Sequence, residues 1–442
     1  MLKRISMKLY STNRQSPTVG LREAVMTGLA PDGGLYMPER IPVIPAAFFN
    51  NISGMSVRDI AFVVADLMLG DEIDSAEIRQ IVNDTFTFDI PLVKVEDNIY
   101  SLELFHGPTY AFKDVGARFL ARIIGHYSSG SGKVKVLVAT SGDSGGAVAA
   151  GFKDVPGVEV YILYPSGRLS RMQREQLDVA AGAVHPIEVL GTFDDCQRLV
   201  KEAFGDGELR REFELTSANS INICRLLPQM FYFFHAYGVL AGREEGDMHG
   251  RVVMSIPSGN LGNLTAGLLA WRMGLPVKRF VVANNVNDVT VDYLLTGKFI
   301  PRRAVRTVAC AMDVGNPSNI SRILDMFAGD HGPISRLVRG HSYSDDDILA
   351  SMSLTYSADS YLLDPHGASA LAALRDDIKE GETGIFLATA HPAKFAHTVC
   401  DATGVELKSP LRAAGTHRGQ QHPRISVSYE ALKKILTHTT NG

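Results

Sequence analysis

Two stretches decide the fold: KVLVATSGDSGGAVAAGF at 135–152, and VVMSIPSGNLGNLTAGLLAW at 252–271. Each begins with an almost continuous apolar run, passes through a glycine-rich loop and continues as a helical pattern. Such runs are typical of strands buried on both faces of a parallel sheet. Similar runs recur at 158–164, 279–283 and 384–388, and helical patterns lie between the runs, at 169–181, 193–204 and 264–274. The alternation predicts an α/β fold with parallel strands.

The length of 442 residues is enough for two or three domains, each with a core of its own. Residues 1–90 have a helical, loop-rich pattern without a strong buried strand, and we expect them to form a mainly helical N-terminal domain. We place a smaller α/β lobe at 91–215 and a larger one at 216–442.

The composition excludes several classes of protein. With 44 basic and 48 acidic residues the net charge is −4, which argues against binding nucleic acid by bulk positive charge. No apolar run approaches the ~20 residues that span a bilayer, and the start has no secretory signal. The four cysteines lie far apart, so neither a disulfide framework nor a zinc site is indicated. We expect a cytoplasmic enzyme with a small-molecule substrate, without a metal, a nucleic-acid partner or a membrane partner.

Both glycine-rich loops are candidates for binding an anion. They read Ser141-Gly-Asp-Ser-Gly-Gly146 and Ser258-Gly-Asn-Leu-Gly-Asn263, and each joins the end of a strand to the start of a helix. Backbone N–H groups and the positive end of the helix dipole favour phosphate or carboxylate there. The alternative is that each loop is only a tight turn. Neither has the GxGxxG spacing of a dinucleotide site, but two loops built so alike favour anion binding.

A lysine at the start of a predicted helix is the third candidate. Residues 106–119 read HGPTYAFKDVGARF, and Lys113 stands between an apolar pair and a helix with apolar Val115, Phe119 and Ile123. Most lysines are solvated at the surface, which is the alternative here. Partial desolvation would lower the pKa of the amine and free it for Schiff-base chemistry. A Schiff-base lysine, one anion loop for a phosphate and another for a carboxylate together describe pyridoxal phosphate holding an amino acid.

Several motifs are similar to segments of one enzyme family. Besides HGPTYAFKD, they are, in chain order, YST at 10–12 with GLAPDGGLYMP at 28–38, ATSGDSG at 139–145, NSIN at 219–222, SGNLGN at 258–263, AMDVGNPSN at 311–319 and LATAHPAKF at 387–395. In this order they resemble the long-chain threonine synthases of bacteria and fungi. The resemblance implies pyridoxal-phosphate fold type II, with two doubly wound α/β lobes. It also implies conversion of O-phosphohomoserine and water to threonine and phosphate through a Schiff base, by γ-elimination and β-addition of water.

The resemblance implies roles for individual residues as well. Lys113 would carry the cofactor and later move protons, and Thr389 would hydrogen-bond the pyridine nitrogen. The cofactor phosphate would be bound by the backbone N–H groups of Gly259, Asn260, Leu261, Gly262 and Asn263. The substrate carboxylate and the cofactor's phenolic oxygen would lie near Thr140, Ser141, Gly142, Asp143 and Ser144. For Thr389 and Asp143 the alternative is turn or cap chemistry.

The phosphate of the substrate needs a further binding group. The segment NSINICR at 219–225 offers Asn219, Ser220 and Arg225, near an apolar helix that we expect to begin near Ser220 and to continue to Tyr237. Charge-assisted hydrogen bonds from arginine are the usual means of binding phosphate, so we assign the substrate phosphate to these three residues. The alternative is that Arg225 is a surface residue on a core helix.

The sequence departs from the family pattern at a few positions. Asn13 stands where Arg is usual, Ser144 replaces Thr, Ile223 and Cys224 replace Trp-Ala, and Gly367 replaces Thr after the triplet DPH. Because several of these changes fall in segments expected on the substrate side, a second function stays open. It is phosphate elimination, or β- or γ-replacement, on another O-activated amino acid. The oligomeric state stays open between monomer and homodimer.

Overall fold

The computed structural model describes residues 7–128, 134–178, 182–244, 246, 248–408 and 422–438. The chain divides into two compact units. Of the described residues, the large unit contains residue 7 and those within 37–112 and 226–408, and the small unit contains those within 8–36, 113–225 and 422–438. The predicted domain boundaries at residues 90 and 215 stay a prediction, and the predicted domain ends at 1–6 and 439–442 lie outside the described residues.

The strands include all those predicted from apolar runs. In chain order they are β1 (Leu9–Ser11), β2 (Tyr36–Pro38), β3 (Leu92–Glu96), β4 (Ile99–Glu103), β5 (Val134–Ala139), β6 (Val158–Pro165), β7 (Val184–Val189), β8 (Glu214–Ser217), β9 (Val252–Pro257), β10 (Val277–Asn284), β11 (Val338–Ser342), β12 (Thr383–Ala388) and β13 (Arg424–Ile425). The predicted strands correspond to β5, β6, β9, β10 and β12, and no end differs by more than two residues.

The helices confirm the predicted helical character of the N-terminal region, which holds the first four of them. In chain order they are α1 (Leu21–Thr27), α2 (Ala46–Asn51), α3 (Val57–Leu69), α4 (Ser75–Thr85), α5 (Lys113–Ser128), α6 (Asp143–Phe152), α7 (Arg171–Asp178), α8 (Phe193–Gly205), α9 (Gly207–Glu212), α10 (Ile223–Leu226), α11 (Gln229–Ala241), α12 (Gly262–Arg272), α13 (Val289–Thr296), α14 (Ile320–Met326), α15 (His331–Leu337), α16 (Asp345–Asp359), α17 (Pro365–Asp377), α18 (Ala396–Thr403) and α19 (Tyr429–His438). Short 3₁₀ helices lie at Ile52–Gly54, Cys310–Met312 and Pro392–Phe395.

The helices predicted at 169–181, 193–204 and 264–274 correspond to α7, α8 and α12, and residues 179–181 lie outside the described part of the chain. Among the helices that the structure describes, none is both long enough and apolar enough to cross a bilayer.

The sheet of the large unit is almost entirely parallel. Its six strands run in the order β11-β10-β9-β12-β4-β3, and only β3 is antiparallel to its neighbour. Every residue of β9 and β12 is buried, which requires cover on both faces of the sheet. The sequences of β9 and β12 do not alternate between polar and apolar residues because both strands lie at the centre of a parallel sheet that is covered on both faces.

The small unit contains a second parallel sheet. Its strands run in the order β13-β7-β6-β5-β8, and every residue of β5 is buried. The last strand, β13, comes from the C-terminal part of the chain and pairs with β7. With two covered parallel sheets and a helical N-terminal region, the predicted fold class is confirmed.

A buried ion cluster joins the amino ends of three strands in the large unit. Arg279 of β10 donates from Nη1 and Nη2 to the two carboxylate oxygens of Glu382, at 2.6 Å each, and its Nε bonds Asp377. Lys278 Nζ lies 2.7 Å from Glu382 Oε1, and Arg339 Nη1 of β11 lies 3.0 Å from Asp377 Oδ1. The cluster ties β10, β11 and the start of β12 to the end of α17, at the sheet edge opposite the strands' carboxyl ends.

We expect Glu382→Gln to lower the free energy of unfolding at pH 7 and to reduce the further loss of stability as the pH falls. Burial alone would raise the pKa of Glu382, but hydrogen bonds from Arg279 and Lys278 lower it to about 2. The stability from a lowered carboxyl pKa is complete above the unfolded-state value of about 4.3 and is lost as the pH falls toward the folded-state value. Because the substitution leaves the buried Arg279 guanidinium under-compensated, the free energy of unfolding at pH 7 should fall by about 3–5 kcal/mol.

Urea unfolding at neutral and acid pH measures both effects. The control is Glu380→Gln, since Glu380 is an exposed carboxylate two positions away, and its loss should leave the unfolding curve unchanged. Equal stability of Glu382→Gln and the unmodified protein at pH 7 would show that the cluster does not stabilise the sheet.

Candidate active site

The carboxyl ends of four neighbouring strands in the large unit, β4, β12, β9 and β10, meet at one edge of its sheet. The parallel pairing sets Ser255 of β9 opposite Phe386 of β12, and the same offset puts Ser258 level with Thr389. The segment 104–112 follows β4 at this edge. Open α/β sheets bind their ligands at such an edge. The large unit thus brings together the predicted phosphate loop, Thr389 and the residues that precede Lys113.

The loop 258–263 presents a row of backbone donors. None of the backbone N–H groups from Gly259 to Asn263 donates to another residue in the described part of the chain. Leu261 adopts the left-handed region, with φ +59°, and precedes α12 without a side-chain cap. The first turn of a helix has unsatisfied N–H groups and the positive end of the dipole, which together favour a phosphate.

Two further features of this loop fit the phosphate of pyridoxal phosphate. A Cβ atom on Gly259 would lie 2.7 Å from the carbonyl oxygen of Ala311, so only glycine fits there without displacing the backbone. The side chain of Asn263 is buried; its Oδ1 accepts from the Tyr232 hydroxyl, and its Nδ2 has no acceptor among the described residues. The loop therefore offers a bare backbone surface and a buried amide donor to a bound anion.

The segment before Lys113 is fixed against the segment that follows β12. Phe112 donates its backbone N–H to the carbonyl of Thr389 at 2.9 Å, and His391 donates to the carbonyl of Tyr110 at 3.0 Å. These bonds hold Tyr110 at φ +58°, a conformation that is costly for a bulky residue. Thr389 is 7% exposed, and its hydroxyl bonds to no other residue that the structure describes.

Lys113 is the first residue of α5 and is half-buried. Val115, Phe119 and Ile123, which follow it on the helix, are fully buried. The predicted apolar helix opening at Lys113 is therefore confirmed, and the role of Lys113 toward the cofactor stays a prediction.

In the small unit, the loop after β5 lies beside the segment after the neighbouring strand, β8. Asn219 Nδ2 donates to the last carbonyl of β5 at 3.0 Å. The Thr140 hydroxyl accepts from the N–H groups of Gly142 at 3.0 Å and Gly145 at 2.8 Å, which bends the chain sharply into α6. The small unit therefore brings the predicted substrate residues 140–144 together with Asn219.

One side chain of α7 supports this loop. Gln173 Nε2 donates to Asp143 Oδ1 at 3.1 Å, and the same side chain lies over Gly142, where an added Cβ would overlap it. Gly142 has φ +148°, which glycine adopts readily. Asp143 begins α6, where a carboxylate interacts well with the helix dipole, so the alternative of helix-terminus chemistry stays open. Ser141 is exposed and Ser144 is half-buried.

Arg225 is buried, and the alternative that it is a surface residue is therefore wrong. It is 5% exposed, and its Nη1 donates to the carbonyl of Ala218 at 2.8 Å. Burial lowers the pKa of Arg225 to about 10, against the opposing attraction of Asp114. Sequence patterns could not decide this, because the burial of Arg225 comes from the packing of α10 against α5, where a Cβ on Gly116 would lie 2.8 Å from the Arg225 carbonyl oxygen.

The expected helix start near Ser220 is wrong. Ser220 is half-buried and precedes α10, which begins at Ile223, and the longer α11 begins at Gln229. Pro228 separates the two helices, because proline lacks a backbone donor and its ring clashes with a preceding helical turn. No long helix therefore begins at Ser220.

Sequence reasoning missed residues that support the loop 258–263 from behind. Asn319 donates to the carbonyl of Asn260 from its backbone N–H at 3.2 Å and from Nδ2 at 2.9 Å. His366 bonds Asp364 through Nδ1 at 2.6 Å and accepts the N–H of Ala311 through Nε2 at 3.1 Å. The signal was present, because these residues lie in the motif AMDVGNPSN and in the triplet DPH.

Comparison with known proteins places almost the whole chain in one family. The family model "Threonine synthase N terminus" matches residues 8–86, "Pyridoxal-phosphate dependent enzyme" matches residues 85–389, and "Threonine synthase, C-terminal" matches residues 367–435. The threonine synthase of Haemophilus influenzae is 42% identical over 407 residues, which cover 91% of this chain and 93% of that protein.

Solved structures agree with the sequence comparison. The crystal structure of threonine synthase from Escherichia coli superposes with a TM-score of 0.89 at 37% identity, covering 97% of this chain and 99% of that one. The pyridoxal-phosphate-bound threonine synthase of Brucella melitensis gives 0.90 at 32% identity and covers 99% of this chain and 100% of that one. The chain therefore belongs to the threonine synthase family and is a pyridoxal-phosphate-dependent enzyme.

Proposed function

We propose that this chain converts O-phosphohomoserine and water to threonine and inorganic phosphate, as a carbon–oxygen lyase acting on a phosphate ester. The observation that carries the proposal is the row of open N–H groups at 258–263, at the sheet edge that also holds Thr389 and the segment leading to Lys113. An anion site, a buried hydroxyl and a lysine are the groups needed to hold pyridoxal phosphate. Membership of the family supports the choice of substrate.

The residues of the chain divide the work on the cofactor side. Pyridoxal phosphate, when bound, supplies an electron sink for carbanion character beside the substrate amino group. Lys113 would hold the cofactor covalently through Nζ and afterwards take up and return protons at the substrate carbons. The N–H groups of 259–263 would bind the phosphate. The neutral hydroxyl of Thr389 would bond the ring nitrogen without protonating it, which suits a reaction that needs carbanion character at two carbons.

The small unit supplies the proposed substrate contacts. Residues 140–144 would bind the substrate carboxylate, and Asn219, Ser220 and Arg225 would bind the substrate phosphate. A guanidinium is a positively charged, planar donor that suits a phosphate, and Arg225 Nη1 also donates to the carbonyl of Ala218. The domain division, the cytoplasmic location, the choice between monomer and homodimer and the lack of a nucleic-acid partner stay predictions.

Product analysis tests the function and the role of Lys113. Incubated with O-phosphohomoserine, the protein should release threonine and phosphate in equal amounts, and Lys113→Ala should release neither, because no amine is left to hold the cofactor or to move protons. Release of 2-oxobutanoate in place of threonine would contradict the proposed reaction.

Borohydride reduction of the loaded protein followed by peptide mapping locates the attached cofactor. The label should appear on Lys113. A label on another lysine would show that Lys113 is not the attachment site, even if the protein makes threonine.

Gly262→Val tests the phosphate loop. A branched side chain at the start of α12 would crowd the N–H groups that a phosphate must approach, so the affinity for pyridoxal phosphate should fall by about tenfold or more. The affinity is measured by titrating the stripped protein and following absorbance. Gly54→Val is the control, because Gly54 is in the same unit and a Cβ there meets nothing within 4 Å. Unchanged affinity in a folded Gly262→Val protein would show that this loop does not bind the phosphate of the cofactor.

Arg225→Ala tests the substrate phosphate site. Loss of the charge should raise KM for O-phosphohomoserine, by an amount equivalent to about 2–4 kcal/mol of lost binding, with little change in cofactor affinity. Steady-state kinetics and the melting temperature are measured together, and Arg225→Lys keeps the charge if the alanine variant is unstable. Arg22→Ala is the control, since Arg22 forms an exposed ion pair with Glu214 in the same unit. Normal kinetics in the alanine variant would exclude Arg225 from the site.

A further inference from the structure

Two buried asparagines hold carbonyl groups of the loop 258–263. Asn284, the last residue of β10, donates from Nδ2 to the carbonyl of Ser258 at 2.7 Å. Asn319, which precedes α14, donates from Nδ2 to the carbonyl of Asn260 at 2.9 Å, and its backbone N–H reaches the same oxygen at 3.2 Å. Asn284 is 2% exposed and Asn319 is fully buried, so neither bond competes with water.

The geometry of the peptide bond gives these contacts a directional effect. In a planar trans peptide the C=O and the following N–H point in opposite directions. A bond that fixes the carbonyl of Ser258 toward Asn284 therefore turns the N–H of Gly259 away from Asn284. In the same way, the bonds from Asn319 to the carbonyl of Asn260 turn the N–H of Leu261 away from Asn319. Both N–H groups belong to the row that donates to no other described residue.

Asn319 is itself held by a charged side chain. Arg322 Nη1 donates to Asn319 Oδ1 at 2.6 Å, and Arg322 is completely buried. A charged donor on one end of an amide strengthens the hydrogen bond that the other end donates. Ser318 adds contacts from its N–H and its hydroxyl to the side-chain oxygen of Asn260, at 3.3 Å each. The second carbonyl of the loop is thus held by a chain of bonds that begins at a buried cation.

We infer that Asn284 and Asn319 are positioning residues that aim the N–H groups of Gly259 and Leu261 at the phosphate of the cofactor. The inference rests on the proposed role of the loop 258–263 as the phosphate site. The side chain of Asn284 is fixed by its Nδ2 bond to the loop, since its buried Oδ1 accepts from no described residue. Arg322 supports the orientation through Asn319.

Binding of pyridoxal 5'-phosphate and of pyridoxal, which lacks the phosphate, separates positioning from a general structural role. Asn284→Leu and Asn319→Leu remove the amide and keep a similar volume. Each should weaken the binding of pyridoxal phosphate by about tenfold and change the binding of pyridoxal by less than about twofold, because only the phosphate uses the aimed N–H groups. Affinities are measured by absorbance titration of the stripped full-length protein, with melting temperatures to check folding.

Asn287→Leu is the matched control. Asn287 is also a buried asparagine of the large unit, and its Nδ2 bonds the carbonyl of Val305 at 2.8 Å, outside the phosphate loop. Its substitution should leave the preference for the phosphate form unchanged. Arg322→Met serves if an asparagine variant does not fold, since it keeps Asn319 in place and removes the charged donor to its Oδ1. Arg322→Met should also weaken the binding of pyridoxal phosphate more than the binding of pyridoxal.

Equal weakening of pyridoxal and pyridoxal phosphate in the folded variants would overturn the inference, as would unchanged binding of both. Gly262→Val distinguishes a failure of the proposed alignment from a failure of the proposed phosphate site. If that variant loses phosphate affinity while the asparagine variants keep it, the loop binds phosphate without this alignment. If none of the variants loses affinity, the phosphate site itself is misassigned.

Discussion

The parallel register of the large unit's sheet is the constraint on which its functional edge depends. Hydrogen bonds between β4, β12, β9 and β10 set the four carboxyl ends at one edge, and every loop that leaves this edge inherits its position from the strands. A slip of one residue between β9 and β12 would reverse which side chains face the covering helices. Because both faces are buried, such a slip is costly, so Thr389 and the loop 258–263 keep a fixed relation.

The two glycine-rich loops are alike in sequence, but in the structure they differ in whether their backbone N–H groups are already hydrogen-bonded. In the small unit the Thr140 hydroxyl accepts from Gly142 and Gly145, so part of the donor capacity is already used. In the large unit the row from Gly259 to Asn263 is left open, and the carbonyls are the groups that are held. An open row suits a doubly charged phosphate, whereas a partly used one suits a carboxylate, which carries less charge.

The central strands and the helix opening at Lys113 were predictable because local sequence decides them. The run 252–257 contains one polar residue, Ser255, and all six of its residues are buried. Such an apolar run is typical of a strand inside a covered sheet. The strands β4, β7, β8 and β11 carry polar or exposed residues and were not predicted. The burial of Arg225 was out of reach for a different reason, since its surroundings include α5, which is distant in sequence.

The two edges of the large unit's sheet show opposite ways of treating polar groups. At the amino ends, the charges of Arg279, Asp377 and Glu382 satisfy one another, and such a closed cluster has nothing to offer a ligand. At the carboxyl ends, the backbone N–H groups from Gly259 to Asn263 donate to no other described residue, and bonds from Asn284 and Asn319 hold the carbonyls of Ser258 and Asn260. Because the carbonyls of Ser258 and Asn260 are already bonded, their peptide groups resist turning, and the N–H groups of Gly259 and Leu261 stay available to a ligand.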